Sequence, residues 1–231
     1  MCTVTYIPLD SGNYLFSTSR DEHRDRPDPL PPKKYEMGEV DVYYPKDPVA
    51  GGTWILSSPS LTLCILNGAF QPHKRTPPYR ESRGHIPLRF IEFGNSTEFL
   101  KNYQFQGIEA FTLIIIADGE GAIEEIRWDQ KKIHHRKMPA NKPALWASAP
   151  LYNSDMQKMR SHWFNTFLDE YPHPEVEDIF SFYTDFGNGD PHCGLIIDRE
   201  NGVQTGSICC IERIQPIKKM HYWERGIHFT Q

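Results

Sequence analysis

The sequence predicts an α+β protein in which antiparallel strands are layered with pairs of helices. Three observations carry this. Short runs rich in Thr, Val, Tyr and Phe alternate with Gly, Pro, Asn and Asp clusters through the first half, two regions place apolar residues at helical spacing, and Phe111–Ala117 contains the unbroken apolar run Leu113-Ile114-Ile115-Ile116-Ala117. Such a run needs cover on both faces of its strand, which two sheets with helices outside supply.

Cys2 to Leu9 and Asn13 to Ser19 read as strands joined by the turn sequence Asp10-Ser11-Gly12-Asn13. Val40 to Tyr44, Thr53 to Ser57 and Leu61 to Leu66 repeat the pattern, the last two separated by Ser58-Pro59-Ser60, so an antiparallel meander is expected. Between them Arg26-Pro27-Asp28-Pro29-Leu30-Pro31-Pro32 lacks ladder donors at its prolines and is expected to be a surface excursion. Leu88, Ile91, Phe99, Leu100 and Tyr103 indicate one or two short helices between Ile86 and Phe105, broken at Gly94-Asn95-Ser96 with Ser96 as cap. Strands resume at Phe111 to Ala117 and Ile123 to Trp128 around Asp118-Gly119. Met156, Met159, Trp163, Phe164, Phe167 and Leu168 form a helix after Ser154, and Val176, Ile179, Phe180 and Tyr183 a second. Leu195 to Ile197, Val203 to Ile211 and Met220 to Trp223 return to strand. No repeat or flexible linker divides the chain, so residues 1–231 read as one domain.

Composition narrows the function. Lys+Arg 25 against Asp+Glu 30 leaves a net charge of -5 with no basic block beyond Lys-Lys pairs, which argues against nucleic acid as a partner. No apolar run approaches the roughly 18 residues of a membrane span, and Met1-Cys2-Thr3-Val4-Thr5-Tyr6 has neither part of a secretory signal, so a cytoplasmic location is expected. Five cysteines without a Cys-x-x-Cys pair read as free thiols. Ten histidines meet no zinc spacing: His134 and His135 are adjacent and point to opposite faces of a strand, and His192-Cys193 sits in a turn-rich loop. No metal and no cofactor are expected. Cys209 and Cys210 lie mid-strand, so at most one is expected in a core, and Cys64 reads as packing. Gly51-Gly52 before Thr53-Trp54 reads as a tight strand entry with a packed Trp, since no phosphate-loop lysine or helix follows.

The amino terminus carries the chemistry. With Ser11-Gly12 as a two-residue loop, Tyr6 faces Ser17 and Cys2 faces Asp21, bringing the chain start beside Ser19-Arg20-Asp21-Glu22. If Met1 is removed, Cys2 gains an α-amine of reference pKa about 7.7–8.0, so nucleophile and general base share one residue. Asp21 would orient the ammonium form and Arg20 would favour the thiolate. A retained Met1 would block the amine. On spacing alone a buried thiol near a chain start is ordinarily packing, and a Ser-Arg-Asp-Glu run is ordinarily a solvated turn. A one-residue slip would set Arg20 opposite Cys2 instead.

These residues resemble the NRDE-motif family, which includes the transport and Golgi organisation proteins. Met1-Cys2, Ser19-Arg20-Asp21-Glu22 followed by Arg26-Pro27, Gly51-Gly52-Thr53-Trp54, Asn67 with Gln71-Pro72, Ser82-Arg83-Gly84, Ser148, Thr205-Gly206-Ser207 and Trp223-Glu224-Arg225 match its pattern in order. The resemblance implies an amino-terminal nucleophile hydrolase fold, a four-layer αββα sandwich. It also implies attack by Cys2 on an amide or related acyl carbon of a small-molecule substrate, the amine of Cys2 relaying the proton. Carried over, Asp21 partners that amine, Arg20 contributes charge, and Asn67 is a candidate oxyanion donor. Trp54 and Asn153 are candidates for substrate contact. The sequence departs from the pattern at Ser19 for Asn, at Gly68 after Asn67, and at Ala149 after Ser148. The second expectation is therefore a binding or trafficking protein for a lipid, acyl or haem ligand that keeps the fold without turnover.

Overall fold

The computed structural model describes residues 3–224 and 227–230; Met1, Cys2 and Arg225, all used above, lie outside them. The chain is α+β with two large antiparallel sheets, and it divides into two compact units, Met1–Pro27 with Ala140–Gln231, and Asp28–Pro139.

The first unit holds β1 (Thr3–Pro8), β2 (Tyr14–His23), β10 (Ala144–Ala147), β11 (Val203–Ile214), β12 (Ile217–Glu224) and β13 (Ile227–Thr230), in the spatial order β10-β1-β2-β11-β12-β13. Helices α3 (Ser154–Glu170) and α4 (Val176–Asp185) cover one face. Trp163, Phe164 and Phe167 from α3 and Val176, Ile179 and Phe182 from α4 bury Ile7, Leu15, Ile208 and Cys210. Cys209 points the other way and is equally buried. The expectation of one core cysteine there is thus corrected, because the strand is covered on both faces.

The first hairpin differs by one residue from its expected register. Tyr6 pairs with Phe16 and Val4 with Thr18. The connection is a three-residue turn, Asp10–Gly12, closed by Leu9 N–H donating to Asn13 O at 2.8 Å, with Ser11 and Gly12 at φ 60° and 75°. Asp10 joins Ser11 and Gly12 in the turn, which makes it one residue longer than a two-residue loop.

The second unit is a sequential meander of β3 (Leu30–Met37), β4 (Val40–Lys46), β5 (Ile55–Ser57), β6 (Leu61–Asn67), β7 (Phe111–Ala117), β8 (Ala122–Trp128) and β9 (Ile133–Pro139). Between β6 and β7 come α1 (Ile86–Phe93) and α2 (Ser96–Asn102). Phe90, Phe99, Tyr103 and Phe105 form an aromatic cluster that continues onto Phe111 and Trp128 of the sheet. The apolar run of β7 is buried from Phe111 to Ile116, as its composition requires.

Other differences have local causes. Pro31 and Pro32 belong to β3, not to an excursion: β3 is an edge strand with a register shift between Leu30 and Lys33, where missing N–H groups leave no ladder bond unmade. The caps of α2 and α3 are Asn95 and Asn153, each one residue before the serine expected, because each Asn side chain reaches back to N–H groups of the first turn. Leu195 to Ile197 forms no strand; only an isolated bridge joins Asp198 to Gln204. The sequence reading missed β3, β9, β10 and β13: β3 and β9 are largely exposed edge strands, and β10 and β13 are only four residues long.

Glycine is used where backbones meet. A Cβ on Gly52 would lie 2.4 Å from the carbonyl carbon of Gly84, while Thr53 N–H donates to Gly84 O at 2.8 Å. The Gly-Gly-Thr-Trp and Ser-Arg-Gly segments therefore pack backbone to backbone.

Candidate active site

Alternation along β1 and β2 sets Thr3, Thr5, Ser17, Ser19 and Asp21 on the face that α3 and α4 cover. This is a polar stripe within a buried layer, so its groups must satisfy one another. Thr5 Oγ1 and Ser17 Oγ share a hydrogen bond at 2.5 Å, and Ser17 Oγ lies 3.2 Å from Tyr183 Oη. Thr3, the first described residue, is fixed from three sides. Its N–H donates to Ser19 Oγ at 3.2 Å, its carbonyl accepts from Tyr183 Oη at 3.2 Å, and its Oγ1 accepts from Arg160 Nε at 3.1 Å.

Asp21 is fully buried at the far end of the stripe. Oδ1 accepts from Thr205 Oγ1 at 2.6 Å and Oδ2 accepts from the Tyr152 hydroxyl. Burial pushes the Asp21 pKa up, opposed by the two hydroxyl hydrogen bonds and by the charge of Arg160. Thr205 is brought opposite Asp21 by β11, whose register shifts between Thr205 and Ser207 so that Arg20 faces Ser207. The bulge lets consecutive β2 residues each meet a hydroxyl-bearing partner.

Tyr152 links Asp21 to a buried cation. The Arg160 guanidinium, fully buried, lies 3.5 Å from the centroid of the Tyr152 ring and donates through Nη2 to Gly194 O at 2.7 Å and through Nη1 to Met156 O at 3.3 Å. Burial, then the negative charge of Asp21, pushes the Tyr152 pKa well up, so the phenol remains a donor. Its backbone is held by a turn in which Ser148 O accepts from the N–H groups of Leu151 and Tyr152. Arg199 stands behind this turn, donating to Leu151 O at 3.4 Å and His192 O at 2.8 Å. In the same loop Asp190 accepts from Cys193 Sγ at 3.0 Å; that bond, then burial, pushes the Cys193 pKa up and keeps it a thiol.

The expected site residues divide accordingly. Arg20 is nearly buried on the other face of β2, 3.9 Å from Glu22. Asp21 is the centre just described. Asn153 caps α3, its Oδ1 accepting from Asp155 N at 3.1 Å and Met156 N at 2.9 Å, which leaves its NH2 group for any substrate contact. Asn153→Ala is expected to cost about 1 kcal/mol in chemical denaturation, and a change below about 0.3 kcal/mol would contradict the capping role. Asn67 and Trp54 belong to the second unit. Asn67 closes β6 opposite Phe111, and Trp54 is buried with its carbonyl accepting from Ile65 N–H at 2.8 Å. Cys2 lies outside the described residues.

Sequence reasoning missed Tyr152, Arg160 and Thr3 as members of the Asp21 network. Thr205 had been noted only as part of a matching segment. A buried arginine inside an otherwise amphipathic helix was the available signal, since an unpaired charge on an apolar face requires a partner. His134 and His135 face opposite ways and pair with Asp129 and Glu124. Among the described residues no group of three His, Cys, Asp or Glu is placed to hold a metal, and no helix is long and apolar enough to cross a membrane.

Two antiparallel sheets with flanking helices, and a buried Asp–Tyr–Arg centre beside the first strand, define an α+β protein with an amino-terminal polar site. The sequence model of the transport and Golgi organisation 2 family matches residues 1–186, and the chain belongs to that family. The matched stretch includes Arg20, Asp21, Trp54, Asn67, Tyr152, Asn153 and Arg160 and ends before Thr205. No curated protein matches the chain.

Proposed function

We propose that the chain is a cytoplasmic amino-terminal cysteine hydrolase, one domain over residues 1–231, acting on a non-peptide amide or related acyl bond. After Met1 is removed, the Cys2 amine takes the thiol proton as the sulfur attacks the carbonyl carbon, the proton passes to the nitrogen as the C–N bond breaks and the amine leaves, and water then cleaves the thioester to release the acid and restore the thiol. Asn67 would stabilise the oxyanion, Arg20 the thiolate, and Trp54 and Asn153 would contact substrate. The observation that carries the reading is Asp21, a fully buried carboxyl group held by two hydroxyl donors, beside a first strand pinned at Thr3. A buried carboxylate beside a chain start has a ready use in orienting an ammonium group.

Two observations favour a binding protein without turnover. Gly68 carries φ 81° and its N–H is already donated to Ala110 O at 2.9 Å, so that position offers no amide donor. Ala149 is buried and brings no side-chain donor.

The test is intact mass of the natively produced protein followed by exposure to an activated acyl ester. Loss of Met1, a single acyl adduct, and at least about a 10³-fold slower reaction in Cys2→Ala are expected. Retained Met1, or acylation equally fast in Cys2→Ala, would remove the hydrolase and leave the binding protein.

A further inference from the structure

The second unit contains a separate polar pocket. Pairing of β8 with β9 sets Glu125 opposite Arg136 and Arg127 opposite His134, all on one face. Glu125 is nearly buried and receives two guanidinium groups. Arg127 reaches Oε1 through Nε and Oε2 through Nη2, both at 2.8 Å; Arg136 reaches Oε1 through Nε at 2.8 Å and Oε2 through Nη2 at 3.0 Å. Burial acts to raise the Glu125 pKa, but the arginines outweigh it and hold it below the usual carboxylate range. Two arginines on one carboxylate leave a positive charge in excess. Of the neighbouring acids, Glu124 pairs with Lys137, and Asp129 is hydrogen-bonded to the His134 ring.

Arg127 is fixed, donating also to Ala69 O at 2.5 Å. Arg136 is more than half exposed, and its Nη1 makes no hydrogen bond among the described residues. Beside it stands Phe70, a phenyl ring 52% exposed, with the Arg127 guanidinium 4.9 Å from its centroid and the His134 ring edge-on at 4.8 Å. Phe70, Glu125, Arg127, His134, His135 and Arg136 line an open pocket of about 280 Å³. That is just below the roughly 300–1,000 Å³ of pockets for drug-sized ligands, so the space suits a single ring. A guanidinium fork recognises planar oxyanions, and an exposed ring offers a stacking face.

We propose that this pocket binds a small aromatic oxyanion, its ring against Phe70 and its carboxylate or phosphate on the free edge of Arg136. The site is independent of Cys2, so binding unchanged in Cys2→Ala is expected. Isothermal titration of the full chain with benzoate, phenyl phosphate and inorganic phosphate tests it, and the tighter of the two aromatic probes identifies the oxyanion. At least one aromatic probe should saturate, at least tenfold tighter than inorganic phosphate. Arg136→Gln should weaken it at least tenfold, and Phe70→Ala should erase the preference over inorganic phosphate. Glu125 keeps its Arg127 pair in Arg136→Gln, and Phe70 is exposed, so both variants should be folded at the assay temperature by circular dichroism, which separates loss of binding from loss of fold. No saturation by either aromatic probe up to about 10 mM, affinity no better than inorganic phosphate, or indifference to Arg136→Gln would overturn the site.

Discussion

Asp21→Asn is expected to be at least as stable as the native chain at neutral pH while losing acyl transfer, whereas Asp21→Ala is expected to lose about 3 kcal/mol. The asymmetry follows from burial. Desolvation raises the folded-state pKa of Asp21 above its ordinary value. Below that ordinary value both folded and unfolded chains hold the proton, and the contribution is intact. As pH rises toward the folded-state value the unfolded chain releases its proton first, so stability falls through the window and then levels off. An asparagine has no such window. Its oxygen accepts from one hydroxyl, and the other hydroxyl turns to accept from the NH2 group, since Tyr152 and Thr205 can play either part. Alanine leaves the Tyr152 and Thr205 hydroxyls without their acceptor and a cavity where the carboxyl group stood. Denaturation curves at several pH values decide this. Equal pH dependence for the native and Asp21→Asn proteins, or an Asp21→Ala loss under about 1 kcal/mol, would show that Asp21 is not the strained centre described.

A second large effect is expected from one methyl group. Gly52→Ala should cost about 3 kcal/mol or prevent folding, because the added carbon would stand 2.4 Å from the Gly84 carbonyl carbon and 2.5 Å from its oxygen. The obstacle is backbone on both sides, so no side chain can rotate away. Gly84→Ala should be milder, since its nearest neighbour would be Thr53 N at 3.3 Å. Urea denaturation of the pair should rank them in that order. A Gly52→Ala protein within about 0.5 kcal/mol of native would mean that the two segments separate readily.

Much of the fold was legible because burial writes a pattern. The unbroken run at Phe111–Ala117 could only be an inner strand, and α3 and α4 declared themselves through Trp163, Phe164, Phe167, Ile179 and Tyr183. What escaped has no such pattern. β9 is exposed along most of its length, so nothing in Ile133–Pro139 alternates. The register of the first hairpin turned on whether Asp10 joins the turn, a choice made by backbone angles at Ser11 and Gly12 rather than by composition. Asp21 was found through its neighbours in sequence, yet its partners come from residues 131 and 184 positions away, Tyr152 and Thr205, and no local rule reaches that far.

The first unit is also discontinuous in a directional way. β1 and β2 leave the ribosome well before their sheet partners, β10 from Ala144 and β11 from Val203. The second unit, Asp28–Pro139, is complete before either arrives. At about 5–20 residues per second, the hairpin waits on the order of ten seconds for its neighbours. During synthesis the strand that leads to Cys2 is thus open to an aminopeptidase before the sheet encloses it. On the proposed reading, the topology leaves time for the amino terminus to be trimmed before the site that would use it is complete.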